Sequence, residues 1–106
     1  MFDVQGKNGK QVVYIKGEVN AQTGGELKKK VLDMFASHNA AVLSFKGVVY
    51  MNSSGLREII DLLKNANKMK KELGLCEMSS DIREMFAFTG LDKVFKIYET
   101  EAQALG

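Results

Sequence analysis

The chain has 106 residues, 45% hydrophobic and 26% charged, which is one domain's length and the make-up of an ordinary globular protein. Fifteen basic side chains stand against thirteen acidic ones, a net +2 too balanced to point to a nucleic acid or a membrane as partner. A lone cysteine, Cys76, excludes an internal disulfide, no apolar run is long enough to cross a bilayer, and MFDVQGKNGK lacks a signal-peptide pattern. A single domain over residues 1–106, in a reducing, cytoplasmic setting, is the expectation.

Phe2 and Val4 alternate with polar residues and lead through Asn8-Gly9 into Val12, Val13, Tyr14 and Ile15. Asn-Gly between two such runs predicts a β-hairpin. A first amphipathic helix follows over about residues 23–37, with Leu27, Val31, Met34 and Phe35 on one face, and its stop is expected at His38-Asn39. Residues 41–45, AVLSF, read as a central strand covered on both faces.

After the run VVYM and the polar elbow Asn52-Ser53-Ser54-Gly55, a second helix carries Ile59, Leu62, Leu63, Ala66, Met69 and Leu73 up to Gly74. Residues 75–78 are the next strand candidate, and Ser79-Ser80-Asp81 should cap a third helix bearing Ile82, Met85 and Phe86. Gly90 is placed for a left-handed stop with Leu91 folding back on Phe86, and Phe88 lies off the apolar face. Residues 94–98 make a last strand and residues 101–105 a short terminal helix. Strands alternating with helices after an opening hairpin imply an α/β fold with a mostly parallel sheet.

The elbow falls at a strand-to-helix junction, where open α/β sheets gather functional groups. Asn52 or Ser53 can cap the helix, but capping needs one side chain and two hydroxyls are present. If Ser53 caps, Ser54 is free to face solvent, with Gly55 leaving the approach open. A serine-hydrolase elbow is excluded by the missing upstream glycine and by having only His38, distant in sequence, as a base. No phosphate-loop spacing occurs, and a receiver-type carboxylate is absent at the strand end. One histidine and one cysteine imply no metal. The lysine runs read as solvated faces and the six methionines as core filler.

MNSSGLREII, GEVNAQTGGEL and the closing stretch SSDIREMFAFTGLDKVFKIYETEAQAL occur in that order and at spacings that resemble the STAS domain family, specifically the small stand-alone anti-sigma factor antagonists of bacteria. The resemblance covers almost the whole chain. It implies a STAS fold, a mostly parallel sheet with an N-terminal hairpin strand and about four helices. It also implies a binding module without catalysis or cofactor of its own. In such proteins the second serine of the pair, here Ser54, is phosphorylated by an anti-sigma factor that is a GHKL-type serine kinase. The unmodified form binds the kinase and frees a sigma factor, phosphorylation switches binding off, and a PPM-type phosphatase resets it. Magnesium and ATP belong to the kinase. On this reading Asn52, Ser53 and Gly55 form the cap and switch loop, and Asn20, Ala21, Met51, Asn52, Ser53, Ser54 and Arg57 meet the partner. Two positions depart from the family, Asn20 and Asn52 standing where it has acidic residues. A STAS scaffold or small-ligand sensor subunit is the alternative role.

Overall fold

The computed structural model describes residues 2–93 and 95–106. Strands β1 (Phe2–Lys7) and β2 (Lys10–Val19) pair antiparallel from Phe2↔Ile15 to Lys7↔Lys10. Asn8 and Gly9 turn between them with φ of 52° and 79°, the left-handed pair that matches the twist of a two-residue hairpin. Then follow α1 (Ala21–Met34), β3 (Ala40–Met51), α2 (Ser53–Lys68), β4 (Glu72–Cys76), α3 (Ser80–Thr89), a 3₁₀ turn (Leu91–Lys93), β5 (Lys96–Tyr98) and α4 (Glu101–Leu105). The strands lie in the order β1-β2-β3-β4-β5, with every neighbour pair after the hairpin parallel. This is the expected α/β architecture.

Helices α1, α2 and α3 share one face of the sheet, because their apolar stripes and every second strand residue form one cluster. Leu27, Val31 and Phe35 of α1, Ile59, Leu62, Leu63 and Ala66 of α2, and Ile82 and Phe86 of α3 meet Val13, Ile15, Leu43, Phe45 and Leu75 there. The alternate strand residues Val12, Val42 and Cys76 point the other way, under Ala104 of α4. The central strand is therefore buried on both faces over residues 41–45.

Several boundaries differ from the sequence reading, each for a local reason. Helix α1 starts at Ala21, since Asn20 and Thr23 form a reciprocal capping box: Thr23 N–H donates to Asn20 Oδ1 (3.0 Å) and Asn20 N–H to Thr23 Oγ1 (2.8 Å). It ends at Phe35, with Ala36 and Ser37 N–H closing short turns onto Asp33 and Met34 carbonyls; Asn39 is not left-handed. Helix α2 stops at Met69 rather than Gly74. Lys70 takes φ 60°, its N–H donates to the Asn67 carbonyl, and Lys71 N–H reaches back to that of Ala66. Leu73 and Gly74 therefore belong to β4, which runs Glu72–Cys76 instead of 75–78; Leu73 kept helical spacing only because it reaches the same core from a strand. The cap of α3 by Ser79 and the left-handed stop at Gly90 (φ 75°) are as read. Val94 and the Leu91 side chain lie outside the described residues.

Cys76 is fully buried, and desolvation, ahead of the nearby Glu77 charge, pushes its thiol from 9.0 up to about 11. A raised thiol pKa means the folded state holds its proton longer than the unfolded one. The stability this contributes is present below pH 9 and lost as pH rises towards 11. Urea midpoints measured across that window should fall more steeply for the parent than for Cys76→Ala, and the native thiol should resist iodoacetamide at pH 8; equal slopes or rapid alkylation would contradict the burial.

Candidate functional site

Strand β3 outruns its neighbour. Residues Ala40 to Ser44 pair with β4, whereas residues 45–51 pair only with β2, through two register shifts opposite Ile15 and between Gly17 and Glu18. The second shift leaves Val49 as the extra residue between Val48↔Gly17 and Tyr50↔Glu18. Val48 and Met51 are buried while Val49 and Tyr50 are 82% and 57% exposed. Sequence reading missed this apolar pair, because four consecutive apolar residues do not show which two face solvent.

The chain then turns at the elbow, which is fixed to the end of β2. Asn52 N–H donates to the Val19 carbonyl (3.1 Å), and Asn52 Oδ1 accepts from Gly55 N–H (2.8 Å). Asn52 is the cap of α2, extended at φ −94° and ψ 176°; Ser53 is already inside the helix. Of the two cap candidates, Asn52 is therefore the cap and Ser53 is not. The amide oxygen one residue earlier reaches the third N–H of the helix, and neither serine hydroxyl has a hydrogen-bond partner among the described residues. Both Ser53 and Ser54 are exposed.

Gly55 relieves crowding in the first turn of α2. It is buried, and a Cβ there would stand 2.2 Å from the Val19 carbonyl oxygen, so its absence lets α2 pass directly over the end of β2. Gly24 does the same between the helices, where a Cβ would lie 2.9 Å from Glu58 Cβ. Lys28 of α1 closes the pair with ion pairs to Glu58 (2.9 Å) and Asp61 (3.0 Å) of α2, and the Glu58 hydrogen bond, then that of Asp61, raises its pKa. These contacts bring the starts of α1 and α2 side by side at the carboxyl ends of β2 and β3. Both helices are capped by neutral asparagines, and neither has an acid in its first turn. Two positive dipole ends therefore converge without a counter-charge of their own, beside a free serine hydroxyl.

The other proposed contact residues separate by exposure. Ala21 and Arg57 are exposed; Asn20 is half-buried, its side chain committed to the α1 cap. Met51, 3% exposed, cannot meet a partner without unfolding the elbow; it anchors the loop in the core. Phe88 is 91% exposed, on α3. His38 follows α1 at the opposite end of the sheet, so the chain's one imidazole is not a base for Ser54. No helix among the described residues is long and apolar enough to cross a membrane.

The cap assignment has a direct test. Asn52→Ala should cost about 1 kcal/mol of stability, and Ser53→Ala only a few tenths, in urea titrations of the two variants. The reverse ranking would give the cap to the hydroxyl.

Against this geometry, the model of the STAS domain family matches residues 1–104. An anti-sigma F factor antagonist of Paenibacillus polymyxa is 26% identical over 106 residues, spanning 98% of this chain and 91% of the relative. The crystal structure of an anti-sigma factor antagonist from Mycobacterium paratuberculosis superposes with a TM-score of 0.85 at 27% identity, over 99% of this chain and 90% of that one. The Bacillus cell-fate determinant SpoIIAA in its phosphorylated form shares the fold, with a TM-score of 0.75 at 18% identity over 99% and 96% of the two chains.

Proposed function

Because the chain belongs to the STAS domain family, we propose that it is an anti-sigma factor antagonist switched at Ser54. The unphosphorylated form binds an anti-sigma factor serine kinase of the GHKL type and so releases a sigma factor. Phosphorylation of Ser54 by that kinase ends the binding, and a PPM-type phosphatase restores it. The chain is then a kinase substrate and a binding module, with no catalysis of its own. The observation that carries this reading is the exposed Ser54 hydroxyl in the first turn of α2, without a hydrogen-bond partner among the described residues, in a chain whose relatives include one that bears the antagonist name. That SpoIIAA exists in a phosphorylated form supports a phosphate on this fold.

A phosphate adds about −1.5 to −2 charge and three acceptor oxygens. The Asn52 cap consumes the Gly55 N–H, leaving the first N–H groups of α2 for a phosphate on Ser54. The domain therefore tolerates the modification, and its effect falls on the partner, where a dianion without prepared donors costs desolvation and repulsion.

Asn20 and Asn52 keep the capping geometry that an acid would supply while removing two charges from the docking rim. Loss of rim charge bears on association rate and salt dependence rather than on folding. The direct test is incubation of the chain with its kinase and Mg-ATP, followed by phosphopeptide mass spectrometry. Phosphate on Ser54 that releases the complex is expected; phosphate on Ser53, or a complex indifferent to phosphorylation, would overturn the assignment.

A further inference from the structure

Strand β1 forms one edge of the sheet, paired with β2 on one side and with no strand among the described residues on the other. Lys7 and Lys10 flank the two-residue turn, so they exchange both backbone hydrogen bonds, and the alternation of an antiparallel ladder makes Gln5↔Val12 and Asp3↔Tyr14 pairs of the same kind. The N–H and C=O groups of Val4 and Gly6 therefore face away from β2, along the open edge. Asp3, Gln5, Gly6 and Lys7 are exposed. Open edges are ordinarily guarded by proline, by a bulge or by a charge aimed at the core. This chain has no proline, the β1 register has no shift, and Phe2 and Val4, which pack on the core, are apolar. At the far edge β5 is only three residues long, Lys96–Tyr98, which is itself a guard.

Exposed charge is the guard that remains, and it works only where like charges would meet. Two β1 strands running antiparallel must set outward-facing backbone groups opposite one another, and two such registers overlap five residues of each strand, centred on Val4 and on Gln5. Centring on Val4 places Asp3 against Gln5 and leaves Lys7 without a counterpart in the strand. Centring on Gln5 lets Val4 and Gly6 exchange both backbone hydrogen bonds with Gly6 and Val4 of a second copy, and it places Asp3 of each copy against Lys7 of the other. Asp3 already meets Lys16 (2.7 Å) and Lys7 meets Glu101 (3.0 Å), but the Asp3 and Lys7 side chains stay 64% and 41% exposed, open to a second partner. Across the junction the order becomes Lys16, Asp3, then Lys7 and Glu101 of the second copy, so the signs alternate. An edge whose charges match its own reverse favours a copy of itself over an unrelated strand.

We propose that β1 is a self-complementary docking edge through which two copies of this chain join their sheets about a twofold axis at Gln5. The contact is isologous and closes at two copies. One short strand from each side buries far less than a tight interface needs, so the dimer is weak, with a Kd on the order of 100 µM. The test is sedimentation velocity of the full chain from about tenfold below to about tenfold above that concentration, with amide NMR of the ¹⁵N-labelled chain on dilution. A dimer should grow in with concentration, and the amides of residues 2–8 should shift most. Asp3→Lys and Lys7→Asp each set like charges opposite one another across the axis, and each alone should weaken the dimer about tenfold. An equimolar mixture of the two variants brings opposite charges together again and should restore association to the parent's level, which a misfolded variant could not do. A parent that stays monomeric throughout, dilution shifts centred away from β1, single variants that associate as the parent does, or a mixture that stays monomeric would each overturn the proposal. None of these readouts involves Ser54, so they stand apart from the switch.

Discussion

Gly55→Ala is expected to be the most damaging single-methyl substitution in the elbow between β3 and α2. The added Cβ would stand 2.2 Å from the Val19 carbonyl oxygen, 2.6 Å from its carbon and 3.0 Å from Asn20 N, all backbone atoms. No side chain can swing aside to relieve it. Either α2 lifts off the end of β2, or Val19 and Asn20 move, and both break the Asn52 N–H to Val19 carbonyl bond that fixes the elbow. The cost is on the order of 3 kcal/mol or more, roughly 12 °C or more in melting temperature for a domain of this size. The helix propensity that alanine gains over glycine, about 1 kcal/mol, is too small to offset it.

Gly24→Ala is the natural control. Its Cβ would meet Glu58 Cβ at 2.9 Å, an atom fixed to the α2 backbone, so α1 and α2 must ease apart, but the overlap is much shallower than the 2.2 Å approach at Gly55 and a smaller loss is expected. Thermal melts of the two variants decide the matter. A Gly55→Ala protein that melts within a few degrees of the parent would show that the close approach of α2 to β2 does not hold the elbow.

The parts of the fold that were legible in the sequence are those where local chemistry and burial agree. Asn8-Gly9 named the hairpin turn, Ser79 and Gly90 named both ends of α3, and Leu27, Val31 and Phe35 named the buried face of α1. The errors arose where one residue satisfies two patterns. Leu73 keeps helical spacing from Ile59 yet lies in β4, because the same core receives it from either element. Lys70 at a left-handed stop carries no sequence signal, since glycine or asparagine is the residue a reader looks for.

At the elbow the sequence named Asn52 and Ser53 as cap candidates without choosing between them. Asn, Ser and Ser are all good caps, and only the path of β3 decides which of them is the last extended residue. The second role of Gly55 was equally hidden, because Val19 lies far from it in sequence and the contact exists only once β2 and β3 are paired. The outward turn of Val49 and Tyr50 depends on a bulge, which apolar patterning does not encode.

With the cap assigned to Asn52, the functional division between the serines sharpens into the prediction with the largest effect on binding. Ser54→Asp places a carboxylate in the first turn of α2, where no acid now stands and where the dipole favours one by about 0.3–1 kcal/mol. Its melting temperature should match or slightly exceed that of the parent. On the proposed function, the same carboxylate would meet a partner surface that accepts a neutral hydroxyl, and about 3 kcal/mol of desolvation and repulsion would weaken binding roughly a hundredfold. Ser54→Ala removes only an exposed hydroxyl without a hydrogen-bond partner among the described residues, so stability and affinity should hold while the phosphate acceptor is lost. Ser53→Asp supplies the same charge one position earlier and separates position from charge: weaker interference is expected if the partner closes over Ser54. Calorimetric titration of the kinase with the three variants, alongside their melting curves, measures both sides. A Ser54→Asp protein that binds like the parent, or a Ser53→Asp protein that loses more affinity than Ser54→Asp, would place the switch on a different hydroxyl.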